Sequence, residues 1–294
     1  MFVVLAALAV CRPAKGAEES AASRYVTQSG WRKAFVAGKE VQIYYPRGVD
    51  SAPVLRPVVY LHGHSGAPIW GRAAFERVAD EHGFVYICPR GGVSWWTDHP
   101  HPSFDPTLSA EDFVVERLAP YIRTSLDPRV TTRTLAITGI SMGGQGSLRL
   151  AFDHPELFPI VVSIAAAIEF DSAFDNWPEI REMYGTREAA QADTATRHVH
   201  SSLRPRKICL LADPRDRDWI EGNRQFEKAL AEQGIPHECD FKTSKGGHVW
   251  GYFDVVAPQM GRFIAKAFEE LAPVSGGAVV RSVSLEAGGL RPGE

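Results

Sequence analysis

The sequence is short of the features that nucleic-acid and membrane proteins depend on. Its 32 Lys and Arg are offset by 35 Asp and Glu, leaving a net charge of -3. No run of basic residues gathers into a patch, so nothing supplies long-range attraction for a polyanion or an anionic lipid surface. No apolar stretch approaches the roughly 20 residues needed to cross a bilayer. There is no internal repeat and no long block of one charge. Cysteine is scarce, at 4 in 294 residues, and Cys88, Cys209 and Cys239 beyond the opening segment do not make a disulfide framework. Cys209 and Cys239 each fall in an expected strand. A bond between them in an oxidising compartment stays open beside the ordinary reading of small buried hydrophobes.

What remains is an ordinary globular balance, with 45% apolar and 23% charged residues, enough to bury a large core. The partner it suits is a small molecule or a neutral polymer.

Residues 1–17 open with Met-Phe-Val-Val-Leu-Ala-Ala-Leu-Ala-Val, an apolar run too short to span a membrane but suited to a secretory signal. Ala14, Gly16 and Ala17 offer a cleavage zone, and the expected location is secreted or periplasmic. If the segment is not removed, a cytoplasmic location follows. Residues 18–30 read as a linker, 31–271 as one ordered domain, and 272–294 as a loosely held tail.

Within the domain, short apolar runs alternate with helical patterns. Strands are expected at Val41 to Tyr45, Val58 to Leu61, Phe84 to Cys88, Thr134 to Thr138, Ile160 to Ile164, Ile208 to Ala212 and His237 to Phe241. Helices are expected at Phe75 to Glu81, Glu111 to Ile122, Met142 to Phe152, Glu221 to Gln233 and Phe253 to Glu270. This alternation calls for an α/β fold, a mostly parallel sheet with helices on both faces. Residues 169–205 break the rhythm and read as a cap-like excursion over the strand ends where ligands bind in such folds.

The strongest local signal is Gly139-Ile140-Ser141-Met142-Gly143-Gly144, between an expected strand and an expected helix. A G-x-S-x-G turn there holds the serine in a strained conformation and presents its hydroxyl above the sheet. The helix N-terminus aims amides at a developing oxyanion. By chance alone the pattern is weak; in this context it marks Ser141 as nucleophile. A second turn, Leu61-His62-Gly63-His64-Ser65-Gly66, follows an early strand and can bring another amide to the oxyanion. The oxyanion donors are then His64 and Met142. His62 and His64 make a poor metal site, since no matching ligand cluster accompanies them.

The base is expected at His248, in Lys245-Gly246-Gly247-His248-Val249-Trp250 after the last strand. The acid lies in Asp213-Pro214-Arg215-Asp216-Arg217-Asp218. Asp216, about four residues past the strand, has the reach of a loop acid, with Asp213 and Asp218 as alternatives. Trp95, Trp96 and Trp250 sit in loops near the catalytic edge and are candidate substrate-binding rings. The competing reading makes them local core. Asp98 would bind a substrate hydroxyl or cap its turn.

These residues together resemble the putative-esterase branch of the α/β hydrolases, which includes esterase D (S-formylglutathione hydrolase), feruloyl and acetyl-xylan esterases and mycolyltransferases. The resemblance covers most of 55–270. It is carried by Leu61-His62-Gly63, Ser94-Trp95-Trp96-Thr97-Asp98, Gly139 to Gly144, His154-Pro155-Glu156-Leu157-Phe158, Asp213 to Asp216, Glu221-Gly222-Asn223 and Gly246 to Trp250. It implies an α/β-hydrolase fold, a Ser–Asp–His triad, no cofactor, and an acyl-enzyme formed from a small-molecule or carbohydrate-linked ester. Acyl transfer and thioester hydrolysis are alternatives within the branch, and a non-catalytic binding protein is one outside it. In that branch a glycine normally stands three residues before the acid. Here the position is Asp213, which keeps it in contention.

Overall fold

The computed structural model describes residues 26–130 and 134–272. The expected signal segment, most of the linker and all but the first residue of the expected tail lie outside them. Eight strands form one sheet in the order β1-β2-β4-β3-β5-β6-β7-β8. They are β1 Gly30–Val36, β2 Lys39–Tyr45, β3 Arg56–Leu61, β4 Phe84–Pro89, β5 Ala136–Ile140, β6 Ile160–Ile164, β7 Lys207–Leu211 and β8 Glu238–Asp240. The first two pair antiparallel with each other, and β2 pairs antiparallel with β4. From β4 through β3 to β8 every pairing is parallel.

The parallel strands carry almost unbroken apolar runs because both of their faces are covered. Along β4, Phe84, Tyr86 and Cys88 enter one core while Val85 and Ile87 enter the other. The helices Ala73–His82 and Trp250–Leu271 close the first face through Phe75, Val78, Tyr252, Val256, Met260 and Ile264. The helical segment 110–126, Met142–Asp153 and Ile220–Glu232 close the second through Phe113, Leu118, Leu148, Phe152, Phe226 and Leu230. Each such side chain, fully buried, stabilises by about 1.5–3 kcal/mol.

The strand expected at Thr134 to Thr138 lies two residues later, because its ladder with β6 runs from Ala136↔Ile160 to Ile140↔Ile164, right up to the serine. The hairpin strand β1 falls wholly outside the expected strands. Arg32 and Lys33 interrupt its apolar residues and stand exposed, so it lacks the apolar run that marks its neighbours. Cys209 and Cys239 are both free. In the β7–β8 register Cys239 lies opposite Leu210, so Cys209, one residue earlier, points to the other face. A bond between them would require a register slip.

The segment after β6 folds into three short helices, Phe170–Asn176, Pro178–Tyr184 and Arg187–Ala192, and a 3-10 turn at Ala195–His198. Phe170, Ala173, Ile180 and Ala190 bury it against the second core.

Candidate active site

Ser141 sits between β5 and the helix Met142–Asp153 with φ 60° and ψ -119°. Such a backbone costs a non-glycine residue about 1–3 kcal/mol and persists only where its surroundings over-determine it. Here they do. The Ser141 N–H donates to Ile164 O at 2.9 Å, and its carbonyl accepts from Gln145 and Ala167 at 3.1 and 3.0 Å. The flanking glycines are required by contact rather than by dihedral freedom. A Cβ on Gly139 would stand 2.1 Å from Gly143 O, and one on Gly143 would stand 2.0 Å from Leu61 O.

The second turn passes directly beside the serine, since a Cβ on Gly63 would meet Ser141 Cβ at 3.3 Å. Met142 opens its helix, where the first amides have no intrahelical acceptor. Of the two expected donors, Met142 follows the serine directly in the chain and His64 lines the same cavity as the serine. His62 is buried, and both ring nitrogens are engaged: Nδ1–H donates to Gly63 O at 2.8 Å and Nε2 accepts from Gly91 N–H at 2.9 Å. Burial lowers its pKa to about 4, so it is a neutral brace under the loop.

His248 reaches the same cavity as Ser141 and His64. Its Nδ1 lies 2.7 Å from Asp216 Oδ2, and its ring stands edge-on to Phe253 at 5.4 Å. Asp216 is 1% exposed, and its second oxygen accepts from the Trp219 and Asp218 amides at 3.2 and 3.3 Å. Asp213, the alternative, is also buried but faces elsewhere. It accepts from Arg215 N, Lys245 N and Gly247 N and from Ser244 Oγ at 2.6–2.8 Å. Although burial pushes the other way, these donors hold its pKa down at about 2. Asp213 thus ties the loop that carries His248 to the end of β7. Asp218 is exposed at the cavity wall and bonds neither.

The cavity holds about 540 Å³. Trp95 and Trp250 line it, joined by Trp177, Trp219, Tyr60 and Phe253. Trp96 does not reach it, which corrects its assignment as a substrate-binding ring. Its indole packs against Gly91 and Gly146, whose missing side chains make the room, and its N–H donates to His62 O at 3.1 Å. Both tryptophans have positive φ, 52° and 56°, and both are buried in the second core, but only Trp95 also lines the cavity. Trp219 follows the acid loop directly, and that adjacency is the signal that could have found it. Glu179, bonded to His64 and Trp95, carried no signal in the sequence.

Asp98 serves neither expected role. It pairs with Arg149 at 3.0 Å and His99 at 2.9 Å. Asp98, His99 and Asp193 form the one group with metal-ligand spacing among the described residues. The Arg149 guanidinium, 2.6 Å from Asp193, already supplies the positive charge there.

Residues 15–264 match the family described as Putative esterase. The chain belongs to that family. An esterase of Mycobacterium tuberculosis, MT1326, is 25% identical over an alignment of 193 positions that covers 56% of this chain and 42% of that protein. The chain thus spans less than half the length of that curated relative. An acetyl esterase of Caldicellulosiruptor saccharolyticus is 22% identical over 79% of this chain and 88% of its own length. In structure the chain is similar to an S-formylglutathione hydrolase from Agrobacterium tumefaciens, with TM-score 0.67 and 19% identity over 80% of this chain and 93% of that one. The sheet order and these neighbours make this family member an α/β hydrolase in fold.

Proposed function

We propose that this esterase-family chain hydrolyses carboxylic esters through a Ser141 acyl-enzyme. Ser141 Oγ attacks the ester carbonyl while His248 takes its proton. Asp216, at Nδ1, holds the imidazole in the tautomer that leaves Nε2 free and then stabilises the imidazolium. The His64 and Met142 amides receive the oxyanion. Collapse breaks the C–O bond, and the alcohol leaves with the proton from His248. Water, deprotonated by the same histidine, then releases the acid and restores Ser141. The observation that carries this reading is the 2.7 Å contact of Asp216 with a histidine that shares a cavity with a strained serine.

The aromatic walls of that cavity favour a planar or ring-shaped group, such as a phenolic acyl chain or a sugar. The acetyl esterase relative favours the oxygen ester over the thioester. Turnover of a p-nitrophenyl ester series and a feruloyl ester by wild type and Ser141→Ala tests the mechanism. The variant should fold normally and lose about 10⁴-fold or more in kcat. Equal rates in the two proteins would remove Ser141 from the reaction. Product analysis with added alcohol or sugar acceptors separates hydrolysis from acyl transfer.

A further inference from the structure

The helix Pro178–Tyr184 lies along the loop that carries Trp95. Glu179 accepts from Trp95 Nε1 at 3.1 Å, Thr97 Oγ1 meets Met183 Sδ at 3.7 Å, the His99 ring packs on Tyr184 at 4.4 Å, and His101 Nε2 pairs with Glu182 at 3.1 Å. One member of this series reaches further. Glu179 Oε1 is also bonded by His64 Nε2, from the turn that passes beside Ser141. The carboxyl is 7% exposed, and a single oxygen serves two donors from separate segments. The Trp177 ring, just before the helix, packs on the His64 ring at 4.2 Å.

We propose that Glu179 is a positioning residue that sets the oxyanion hole, coupling the excursion after β6 to the chemistry at Ser141. The inference rests on the reading of His64 as an oxyanion donor. Because a carboxylate only accepts, His64 Nε2 carries the proton of this bond, and the imidazole is held at one end by Glu179 and on its face by Trp177. The turn 62–66 contains Gly63 and Gly66, which by themselves resist rotation little, and it is tied through Gly63 O to His62 and the Gly66 amide and through Gly66 O to Arg90. The His64 side chain adds the tie that lies nearest its own amide. The same oxygen fixes the Trp95 indole, so the oxyanion donor and one aromatic wall of the cavity share an anchor. Displacing such a group by about 1 Å costs about 100-fold in rate.

The test uses the full chain, with active sites counted by fluorophosphonate labelling of Ser141. Glu179→Ala should lower kcat about 10–100-fold with KM changed less than about threefold, since the loss falls on the transition state. Its affinity for a trifluoromethyl ketone, which forms an anionic adduct on the serine, should fall in parallel. Glu179→Gln, which keeps an acceptor oxygen, should restore most of the rate. His64→Ala, which keeps the backbone amide, should show the same loss, and the double variant should add little to either. Wild-type kcat in a folded Glu179→Ala, or losses that multiply in the double variant, would overturn the proposal. If Glu179→Ala does not fold, His64→Ala carries the test: wild-type kcat there overturns it equally. Failure to label Ser141 would instead strike the underlying serine mechanism.

Discussion

The turn around Ser141 and the loop around His248 solve the same problem of holding one reactive side chain still, and they do so by different means. At Ser141 the restraint is steric. Backbone crosses backbone so closely that a single added carbon on Gly143 would stand 2.0 Å from Leu61 O. At His248 the restraint is polar. Two buried carboxylates divide the work, Asp216 holding the ring and Asp213 holding the loop through the amides of Lys245 and Gly247. The steric restraint tolerates no added atom and, together with the three main-chain hydrogen bonds of Ser141, uses no side-chain partner. A polar one depends on charge, and so on which acid keeps which set of donors.

That contrast can be broken most sharply at the acids. Asp216→Asn should lower kcat by about 10⁴-fold with the fold intact, because the amide cannot hold the productive tautomer. Asp218→Ala should leave kcat within about twofold, as no bond reaches His248 from there. If the two results were exchanged, the acid assignment would pass to Asp218. Gly143→Ala attacks the steric side. It should destabilise by about 3 kcal/mol or more, or prevent folding, as read by urea denaturation. A soluble, active Gly143→Ala would mean that the turn can shift, contrary to the contact distances.

Asp213→Asn is the intermediate case. It should cost about 2 kcal/mol of stability by setting an amide group against buried donors, with kcat down about tenfold as the loop loosens. Loss in stability without loss in rate would separate the loop anchor from catalysis. The wild-type contribution has a definite pH dependence. With its folded pKa depressed to about 2, it is fully present above the ordinary aspartate pKa near 4 and is lost as pH falls through 2.

The smallest effect on stability is expected at His198, which joins Asp153 on the serine-bearing helix to Asp193 in the excursion at 2.8 and 3.1 Å. Burial opposes its charge, but the two carboxylates raise its pKa to about 9. A raised histidine pKa gives stability that is complete below about pH 6.5 and lost as pH rises through 9. His198→Gln should therefore melt a few degrees below wild type at pH 6, about 1–2 kcal/mol after screening by solvent. The gap should close above pH 9. A gap unchanged by pH would mean that packing, not charge, holds the excursion at this point.

What could be read directly in the chain is what local sterics and hydrophobic periodicity impose. The buried parallel strands need apolar runs, and β6 at Ile160–Ile164 lies where its run predicts. A serine strained at φ 60° needs small neighbours where other backbone crosses it, so Gly139 and Gly143 flank Ser141. The loop positions of His248 and Asp216 were legible for the same reason, as residues in the connections that follow strands and precede helices. The division of labour between Asp213 and Asp216 was not, since both follow one strand and only their partners across more than 30 residues differ. Nor was the separation of Trp95 from Trp96, which rests on distant partners, Glu179 for the one and His62, Gly91 and Gly146 for the other. Glu179 was the least visible of all. It is an unremarkable acid on a short helix, and only tertiary packing brings its carboxyl to His64, 115 residues away. Hydrogen bonds between distant segments leave no periodic trace in a sequence, because neither partner constrains the residues beside the other.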